Sequence, residues 1–258
     1  MILDIKNLSY YYGDKEVLHN ISFGVEEGDF ISIIGPNGSG KTSLMKAILG
    51  VSSGKRKGSI LLNNILIENY SYKELAKNIA AVFQTNSLEF DFTVEEIIEM
   101  GRFPYLKRFE SIAKRDKEII NKVMKYVGIT EFANRSYKKL SGGEFQRVMI
   151  GRALSQEAKI LILDEPVNHL DLKYQIAILN LLKNLNEEDN ITIIVILHDL
   201  NLASLYSDKI ILLKDGRVEN IGDAKSVLTL ENIESLYETN VYINNYPDSM
   251  QPYIIPKI

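Results

Sequence analysis

The stretch Gly35-Pro36-Asn37-Gly38-Ser39-Gly40-Lys41-Thr42 is the most informative part of this 258-residue chain. An apolar run of strand type, Phe30–Ile34, precedes it, and a helical pattern over residues 43–49 follows it. In that setting the glycines allow successive backbone N–H groups to surround a polyphosphate, and the helix start contributes the positive end of its dipole. Lys41 can reach the β- and γ-phosphates, and the Thr42 hydroxyl can ligate Mg²⁺. The stretch therefore predicts a site for a nucleoside triphosphate.

Composition limits the other kinds of function. A net charge of −4 and a pI near 5.6 do not favour a broad nucleic-acid-binding surface. The absence of cysteine excludes disulfides, cysteine-ligated zinc and thiol catalysis. The N-terminus has no signal-peptide layout, and apolar runs such as residues 193–197 are far shorter than a membrane span. We therefore expect a soluble chain, whose membrane role would depend on docking to another subunit.

Apolar patterning divides the chain into a β-rich start, a helical middle and an alternating part. Strand patterns cover residues 3–12, 17–25, 30–34, 58–62, 79–83, 159–163 and 191–197. Helical patterns cover residues 93–98, 114–127, 143–154, 172–185, 200–206 and 227–238. A hairpin is expected over residues 210–221, and short strands or an ordered extension over the tail at 241–258. Continuous apolar strands that alternate with helices indicate an α/β fold with a parallel sheet covered on both faces.

A second motif is the apolar strand 160–163, which ends in Asp164 and Glu165. Alone, such a pair is as consistent with an ordinary strand end as with a site. It lies 123 residues after Lys41 in the same α/β pattern, where a buried strand can deliver carboxylates to a metal and a water. We expect Asp164 to hold the Mg²⁺ shell and Glu165 to orient or deprotonate the attacking water.

The stretch Leu140-Ser141-Gly142-Gly143-Glu144 reads locally as a serine-capped helix start, which is itself an anion site. It also resembles the LSGGQ signature of the ATP-binding-cassette (ABC) ATPases, with Glu144 in place of glutamine. Further positions match motifs of that family. They are the aromatic residue that stacks on adenine, the loop glutamine, the aspartate that contacts a second subunit and the switch histidine: Tyr12, Gln84, Asp171 and His198.

The resemblance implies a single ABC ATPase domain over residues 1–258, with a P-loop NTPase core, an N-terminal antiparallel β-subdomain and an inserted helical subdomain. The core would cover about 1–87 and 156–240, the helical subdomain about 88–155, and a C-terminal extension 241–258. It further implies ATP and Mg²⁺ as cofactors, and a head-to-tail homodimer in which the signature of one subunit closes the ATP held by the other.

The resemblance assigns the following roles. The catalytic residues would be Lys41, Gln84, Glu165 and His198. The metal ligands would be Thr42, Gln84 and Asp164. The ATP-binding residues would be Tyr12, Gly35, Pro36, Asn37, Gly38, Ser39, Gly40, Lys41, Thr42 and Ser43 of one chain with Ser141, Gly142, Gly143 and Asp171 of its mate.

The segment Gly101-Arg102-Phe103-Pro104-Tyr105 resembles the GRxPH/Y segment of importers for iron–siderophore complexes, haem and cobalamin. Locally it is also a helix stop. The importer group implies peripheral attachment to the cytoplasmic face of the membrane, docking on an integral membrane permease, and an extracytoplasmic solute-binding protein. The alternatives are import of another small solute, such as molybdate, or a soluble ABC ATPase in iron–sulfur cluster assembly. A DNA clamp is rejected, because too few residues separate Gln84 from Ser141 for a long coiled coil, and no nucleic-acid partner is expected.

Overall fold

The computed structural model describes residues 1–51, 54–84, 89–107 and 110–257. The chain divides into a first unit, Met1–Asn69 with Thr192–Ile258, and a second unit, Tyr70–Ile191. The predicted helical subdomain falls within the second unit, which also contains two strands and a long helix of the predicted core. The predicted boundary at 87/88 and the last residue of the predicted extension lie outside the described residues.

The strands, in chain order, are β1 (Leu3–Tyr12), β2 (Lys15–Val25), β3 (Phe30–Ile34), β4 (Lys55–Leu62), β5 (Ile65–Leu66), β6 (Ile79–Val82), β7 (Ile160–Asp164), β8 (Thr192–Ile196), β9 (Lys209–Lys214), β10 (Arg217–Gly222), β11 (Val241–Asn245) and β12 (Pro252–Pro256). The α-helices are α1 (Lys41–Leu49), α2 (Tyr72–Ala76), α3 (Val94–Met100), α4 (Lys114–Tyr126), α5 (Gly142–Leu154), α6 (Leu172–Asp189), α7 (Leu200–Tyr206), α8 (Ala224–Val227) and α9 (Leu230–Tyr237).

An antiparallel sheet in the first unit has the strand order β2-β1-β4-β5. Leu3 of β1 lies opposite Val25 of β2 and Leu62 of β4, and all three side chains are buried. Along β1 the buried and more exposed residues partly alternate, as expected for a strand with one apolar face. The N-terminal antiparallel part expected from the family resemblance is confirmed.

Parallel strands lie at the centre of a second set of paired strands in the first unit. β3 lies between β8 and β9 and runs parallel to both, with Ile33 opposite Ile196 and Ile211. Every residue of β3 and β8 is buried, which explains why both strands are continuous apolar runs rather than alternating ones. β10 pairs antiparallel with β9 across the predicted turn at Asp215 and Gly216, both of which have positive φ.

The second unit contains the parallel pair β6 and β7, in which Ile79 lies opposite Ile160. Helix α3 begins where the sequence predicts, because Thr93 and Glu96 form a reciprocal capping box. The observed fold agrees with the predicted α/β class: a parallel sheet, an antiparallel β part and a helical region. No described helix combines the length and the apolar character that crossing a bilayer requires.

The expectation of one helix over residues 227–238 is wrong. The chain forms α8, leaves the helical conformation at Leu228 and restarts as α9. Thr229 caps the new helix by accepting a hydrogen bond from the Asn232 N–H, and the Asn232 amide donates to the Val227 carbonyl. These local hydrogen bonds explain why α8 ends at Val227, although the residues there are apolar and fit a continuous helix. Helix α2, capped by Ser71 and Glu74, was not predicted.

Candidate nucleotide site

The loop from Gly35 to Gly40 connects β3 to α1 in the first unit, as predicted. Gly40 is the N-cap of α1 and has φ of 103°, a left-handed conformation that favours glycine. Within the described ranges no side chain caps α1, and its first turn carries no acidic residue. The first N–H groups of α1 lie at the positive end of the helix dipole and are therefore suited to bind an anion.

Lys41 is buried at the start of α1, and its ammonium lies inside the loop. Its Nζ donates to the Gly35 carbonyl at 2.8 Å and to the Pro36 carbonyl at 3.0 Å. The Ser39 hydroxyl oxygen is buried and has no hydrogen-bond partner among the described residues. A buried ammonium beside the Ser39 hydroxyl and the N–H groups at the start of α1 fits a phosphate group, because phosphate oxygens accept hydrogen bonds from all three kinds of donor.

The remaining residues of the loop are more exposed. Pro36 is half-buried, whereas Asn37 and Gly38 are exposed. Thr42 and Ser43 lie half-buried in the first turn of α1. The predicted phosphate-binding residues are thus contiguous in one strand–loop–helix element.

Tyr12 is the exposed member of the three adjacent tyrosines at the end of β1. Its side chain is 39% exposed, whereas Tyr10 is buried. The two rings meet edge to face, with centroids 5.3 Å apart, and the Tyr10 hydroxyl accepts a hydrogen bond from the Gly54 N–H at 3.1 Å. Tyr10 thereby orients Tyr12 and leaves the Tyr12 ring face accessible for stacking.

His198 lies in the first unit, exposed, after the end of β8. The next residue, Asp199, is the N-cap of α7, and its Oδ1 accepts from the N–H groups of Asn201 and Leu202 at 2.8 and 3.0 Å. This cap determines the residue at which α7 begins. It thereby places His198 in the short connection between β8 and α7.

Gln84, Asp164 and Glu165 are brought together in the second unit, at the carboxyl ends of β6 and β7. Asp164 is buried at the end of β7. Glu165 has φ of 52°, an uncommon conformation for a residue with a side chain. The Gln84 Nε2 donates to Glu165 Oε2 at 2.6 Å, and the Asn168 side-chain amide donates to the same oxygen. Two amide donors thus hold the carboxylate of Glu165.

The signature segment of the second unit has the predicted form. Ser141 caps α5, and a reciprocal capping box joins it to Glu144. The Ser141 N–H and Oγ–H donate to Glu144 Oε2 at 2.7 and 2.8 Å. These bonds favour the carboxylate and lower the pKa of Glu144, with the backbone N–H contributing most. Glu144 therefore serves the cap in the position where the family signature has glutamine.

Asp171, which the family resemblance relates to a second subunit, has a local partner here. It is the N-cap of α6, and its side chain accepts from the Tyr174 N–H at 3.1 Å. Gly142 and Gly143 form the first turn of α5.

The 101–105 segment joins α3 to a 3₁₀ turn over Phe103–Tyr105, which confirms the predicted helix stop. Arg102 is only 2% exposed, and its guanidinium donates to Asp116 at 2.8 Å, to Glu157 at 2.8 Å and to the Ser155 carbonyl at 2.7 Å. Although burial acts to raise it, the pKa of Asp116 is lowered by the hydrogen bonds and charge of Arg102 and by the Ala113 N–H.

Two further features of the 101–105 segment decide which of its side chains are accessible. Gly101 packs so closely on the end of α5 that a Cβ would lie 2.0 Å from the Ser155 hydroxyl oxygen. The Tyr105 hydroxyl donates to the Gln156 carbonyl at 2.9 Å, whereas Phe103 is 58% exposed. Phe103 is therefore the most exposed side chain of the segment.

Sequence reasoning missed Asn168 and the structural role of Arg102. Asn168 lies three residues after Glu165 in a turn, and amide side chains are typical of such turns, which gave a weak local signal. The burial of Arg102 depends on Asp116 and Glu157, which lie 14 and 55 residues further along the chain. Separations of that size carry no local sequence signal.

Two features define the class of this protein. The strand–loop–helix element fits phosphates, and a pair of carboxylates stands at the end of a parallel strand. Together they are typical of a nucleotide-binding ATPase of the phosphate-loop class. The family model described as "ABC transporter" matches residues 18–168. The chain belongs to the ABC transporter family, as one of its ATPases.

Full-length relatives support this assignment. An uncharacterised ABC transporter ATP-binding protein of Methanocaldococcus jannaschii is 42% identical over 95% of this chain and 94% of the relative. The ferric enterobactin transport ATP-binding protein of Escherichia coli is 36% identical over 97% of this chain and 92% of the relative. Both alignments extend well beyond residues 18–168.

Solved structures give the same result for the fold. A chain described as part of a metal-chelate type ABC transporter in an inward-facing conformation matches with a TM-score of 0.87 at 28% identity, covering 100% of this chain and 97% of that one. A dimeric ATP-binding cassette in a post-hydrolysis state, bound to ADP and phosphate, matches with a TM-score of 0.73 at 33% identity, covering 86% and 98%.

Proposed function

We propose that this chain is the ATPase subunit of an importer that carries a metal chelate, such as an iron–siderophore complex, haem or cobalamin, through a separate permease. The observation that carries the proposal is the 36% identity to the ferric enterobactin transport protein over 251 residues. That alignment includes the part of the chain after residue 168, where the family model no longer matches. The match to a metal-chelate type transporter over the whole chain is a second support.

ATP is bound, in this proposal, by the loop of the first unit. Lys41 exchanges the carbonyls of Gly35 and Pro36 for phosphate oxygens, which are better partners because they are charged. The start of α1 supplies N–H donors to the same phosphates. Tyr12 stacks on the adenine ring, supported from behind by Tyr10.

Magnesium would be held by Thr42, Gln84 and Asp164. A hydroxyl, an amide carbonyl and a carboxylate are the hard oxygen donors that Mg²⁺ prefers, so the donor set fits this ion. When bound, Mg²⁺ would neutralise charge on the β- and γ-phosphates.

Glu165 is the proposed base, and it accepts the proton of the attacking water. Gln84 and Asn168 hold its Oε2 and so limit the rotation of the carboxylate. His198 is proposed to contact the γ-phosphate from the turn that precedes α7. Positioned groups of these kinds accelerate such steps through orientation and electrostatics.

A second copy of the chain is the proposed partner at the signature. Ser141, Gly142 and Gly143 lie at the start of α5, and the N–H groups of the two glycines form the proposed anion site that would meet the ATP of the other copy. Asp171 is proposed to contact that copy as well. The dimeric post-hydrolysis cassette supports this arrangement. ATP would then favour the closed dimer, and hydrolysis would release it.

The permease is proposed to dock on the exposed side of the 101–105 segment, where Phe103 presents an apolar ring on a turn held rigid by Arg102 and Tyr105. The chain would lie peripherally on the cytoplasmic face of the cell membrane. An extracytoplasmic solute-binding protein would deliver the chelate to the permease, with no contact to this chain.

The test is to purify the tagged chain from detergent-solubilised membranes of its source and to identify its partners by mass spectrometry. We expect a multi-span permease, whose recovery falls in Phe103→Asp but not in the control Ile65→Asp, which changes another exposed apolar residue. A permease for a different solute, such as molybdate, would overturn the chelate assignment. Recovery only from the soluble fraction with a scaffold protein would favour iron–sulfur cluster assembly instead.

A further inference from the structure

The C-terminal hairpin of β11 and β12 contacts helix α7, which begins directly after His198 and Asp199. In the hairpin, Ile254 lies opposite Ile243. The side chains of Val241 and Ile254 are buried, so the hairpin packs on the first unit rather than extending from it. None of the roles proposed above uses this part of the chain.

Asn201 joins α7 to the hairpin through a paired contact. Its Oδ1 accepts from the Ile254 N–H at 2.7 Å, and its Nδ2 donates to the Ile254 carbonyl at 3.2 Å. The side-chain amide thus pairs with the outer edge of β12 as a neighbouring strand would. One turn further along α7, Ser204 donates to the Pro252 carbonyl at 2.5 Å in a buried position.

Helix α7 has only seven residues, and a helix of that length is marginal without tertiary contacts. Asn201 and Ser204 lie three residues apart, on one face of the helix, and both bond to β12. At its other end α7 is followed by Ser207, whose hydroxyl donates to the Ser32 hydroxyl of β3 at 2.6 Å. The hairpin therefore holds α7 at its first turn and again at Ser204, and β3 holds the residue that follows the helix.

The same C-terminal part of the chain also reaches the phosphate loop. The Tyr237 hydroxyl at the end of α9 lies beside the Gly35 backbone, although no described atom forms a hydrogen bond of normal geometry with it. Burial raises the pKa of Tyr237 to about 12, so its hydroxyl stays protonated at neutral pH. The segment from α9 to β12 thus touches both the loop and the helix that follows His198.

We propose that Asn201 is a positioning residue for His198: by tying the first turn of α7 to the hairpin, it makes the C-terminal extension part of the ATPase machinery. Asn201 does not touch ATP in this scheme. It acts because Asp199 caps the backbone of residues 201 and 202, so a shift of the first turn of α7 displaces the residue before the cap. The inference rests on the proposed role of His198.

The experiment compares the full-length wild type with Asn201→Ala, and with Asn244→Ala as a control on the exposed side of the same hairpin. We expect Asn201→Ala to lower kcat for Mg-ATP hydrolysis about tenfold, since small misplacement of a positioned group has effects of that size or larger. The dissociation constant for ATP should change less than about twofold. Asn201→Asp keeps the acceptor for the Ile254 N–H and should give an intermediate kcat.

A second measurement separates positioning from general stability. The chain has three histidines, His19, His169 and His198, so three sets of imidazole signals can be compared by NMR at one pH. Asn201→Ala should move the chemical shifts of the His198 imidazole and leave those of the other two unchanged. Ser204→Ala, which removes the contact to Pro252 alone, serves the same comparison if Asn201→Ala fails to fold.

An unchanged kcat in Asn201→Ala, or an equal loss in Asn244→Ala, would overturn the inference. So would a fall in activity without any change at His198. A wild-type chain that binds ATP but does not hydrolyse it would instead contradict the proposed function, so the two failures are distinguishable.

Discussion

The side-chain amide of Gln84 donates to the carboxylate of Glu165 across 2.6 Å, although the two residues are 81 positions apart. They meet because β6 and β7 are parallel neighbours, whose carboxyl ends lie at the same edge of a sheet. Glu165 is held there in a left-handed conformation that costs about 1 kcal/mol or more. Two amide donors also hold its carboxylate, so Glu165 is suited to a positioned role.

Replacing Glu165 by glutamine tests that role. Glu165→Gln keeps the shape of the side chain and an acceptor for Gln84, but it cannot take a proton from water. We expect kcat for ATP hydrolysis to fall by about 100-fold or more, while ATP binding persists and a dimer accumulates in Mg-ATP. Steady-state kinetics and size-exclusion chromatography measure the two effects, with Glu118→Gln on the exposed face of α4 as the control. A monomeric Glu165→Gln at saturating Mg-ATP would contradict the dimer scheme.

Lys41→Ala should abolish nucleotide binding. The ammonium of Lys41 is buried against the Gly35 and Pro36 carbonyls, and no other cation lies in the described first turn of α1. Charge-assisted bonds to phosphate are about twice as strong as neutral ones, so the expected loss in ATP affinity is large. Isothermal titration with ATP measures it, and Lys46→Ala in the last turn of the same helix is the matched control. Equal affinity in Lys41→Ala and the wild type would show that ATP binds elsewhere.

Arg102→Ala should destabilise the second unit strongly. It leaves the Asp116 carboxylate buried without its guanidinium partner and removes a donor from the Ser155 carbonyl. Breaking one side of a buried ion pair costs about 3–5 kcal/mol. Urea unfolding measures the loss, and Lys122→Ala, an exposed cation on α4, should change the free energy of unfolding by less than about 0.5 kcal/mol. Similar unfolding midpoints for Arg102→Ala and Lys122→Ala would show that the Arg102 network contributes little.

The cap at Ser141 predicts a pH dependence. The pKa of Glu144 is lowered from its ordinary 4.5 by hydrogen bonds from Ser141, so the ionised carboxylate stabilises the folded state. That contribution is fully present above the unfolded pKa and is lost as the pH falls through the folded pKa. The urea midpoint of Glu144→Gln should therefore lie below that of the wild type at pH 7, and the gap should close progressively below about pH 4.5. An equal gap for Glu131→Gln, the control at an exposed position, would show that the effect does not depend on the Ser141 cap.

Much of the fold could be predicted because its signals are local. The strand β3, the loop to Lys41 and the capping box at Thr93 each depend on residues within one or two turns of each other. The break at Thr229 was missed although it too is local, because the apolar spacing of residues 227–238 fits one continuous helix and outweighed a single capping threonine. Periodicity identifies which face is apolar better than it identifies where a helix restarts.

By itself the sequence determined the class of chemistry. Three short motifs, which follow one another along the chain, are sufficient for this. They are the phosphate loop with Gly35 and Lys41, the signature helix that begins after Ser141, and the strand that ends in Asp164 and Glu165. Each motif works through backbone groups and neighbours close in the chain.

Only the tertiary structure decided how individual side chains are paired. Arg102 is buried between two carboxylates, Gln84 holds Glu165, and Asn201 bonds to Ile254 of the tail. These contacts join residues from 14 to 81 positions apart, and a hydrogen bond depends on distances of about 3 Å that sequence spacing does not specify. Packing sets those distances, and with them which donors are engaged and which side chains remain exposed to a partner.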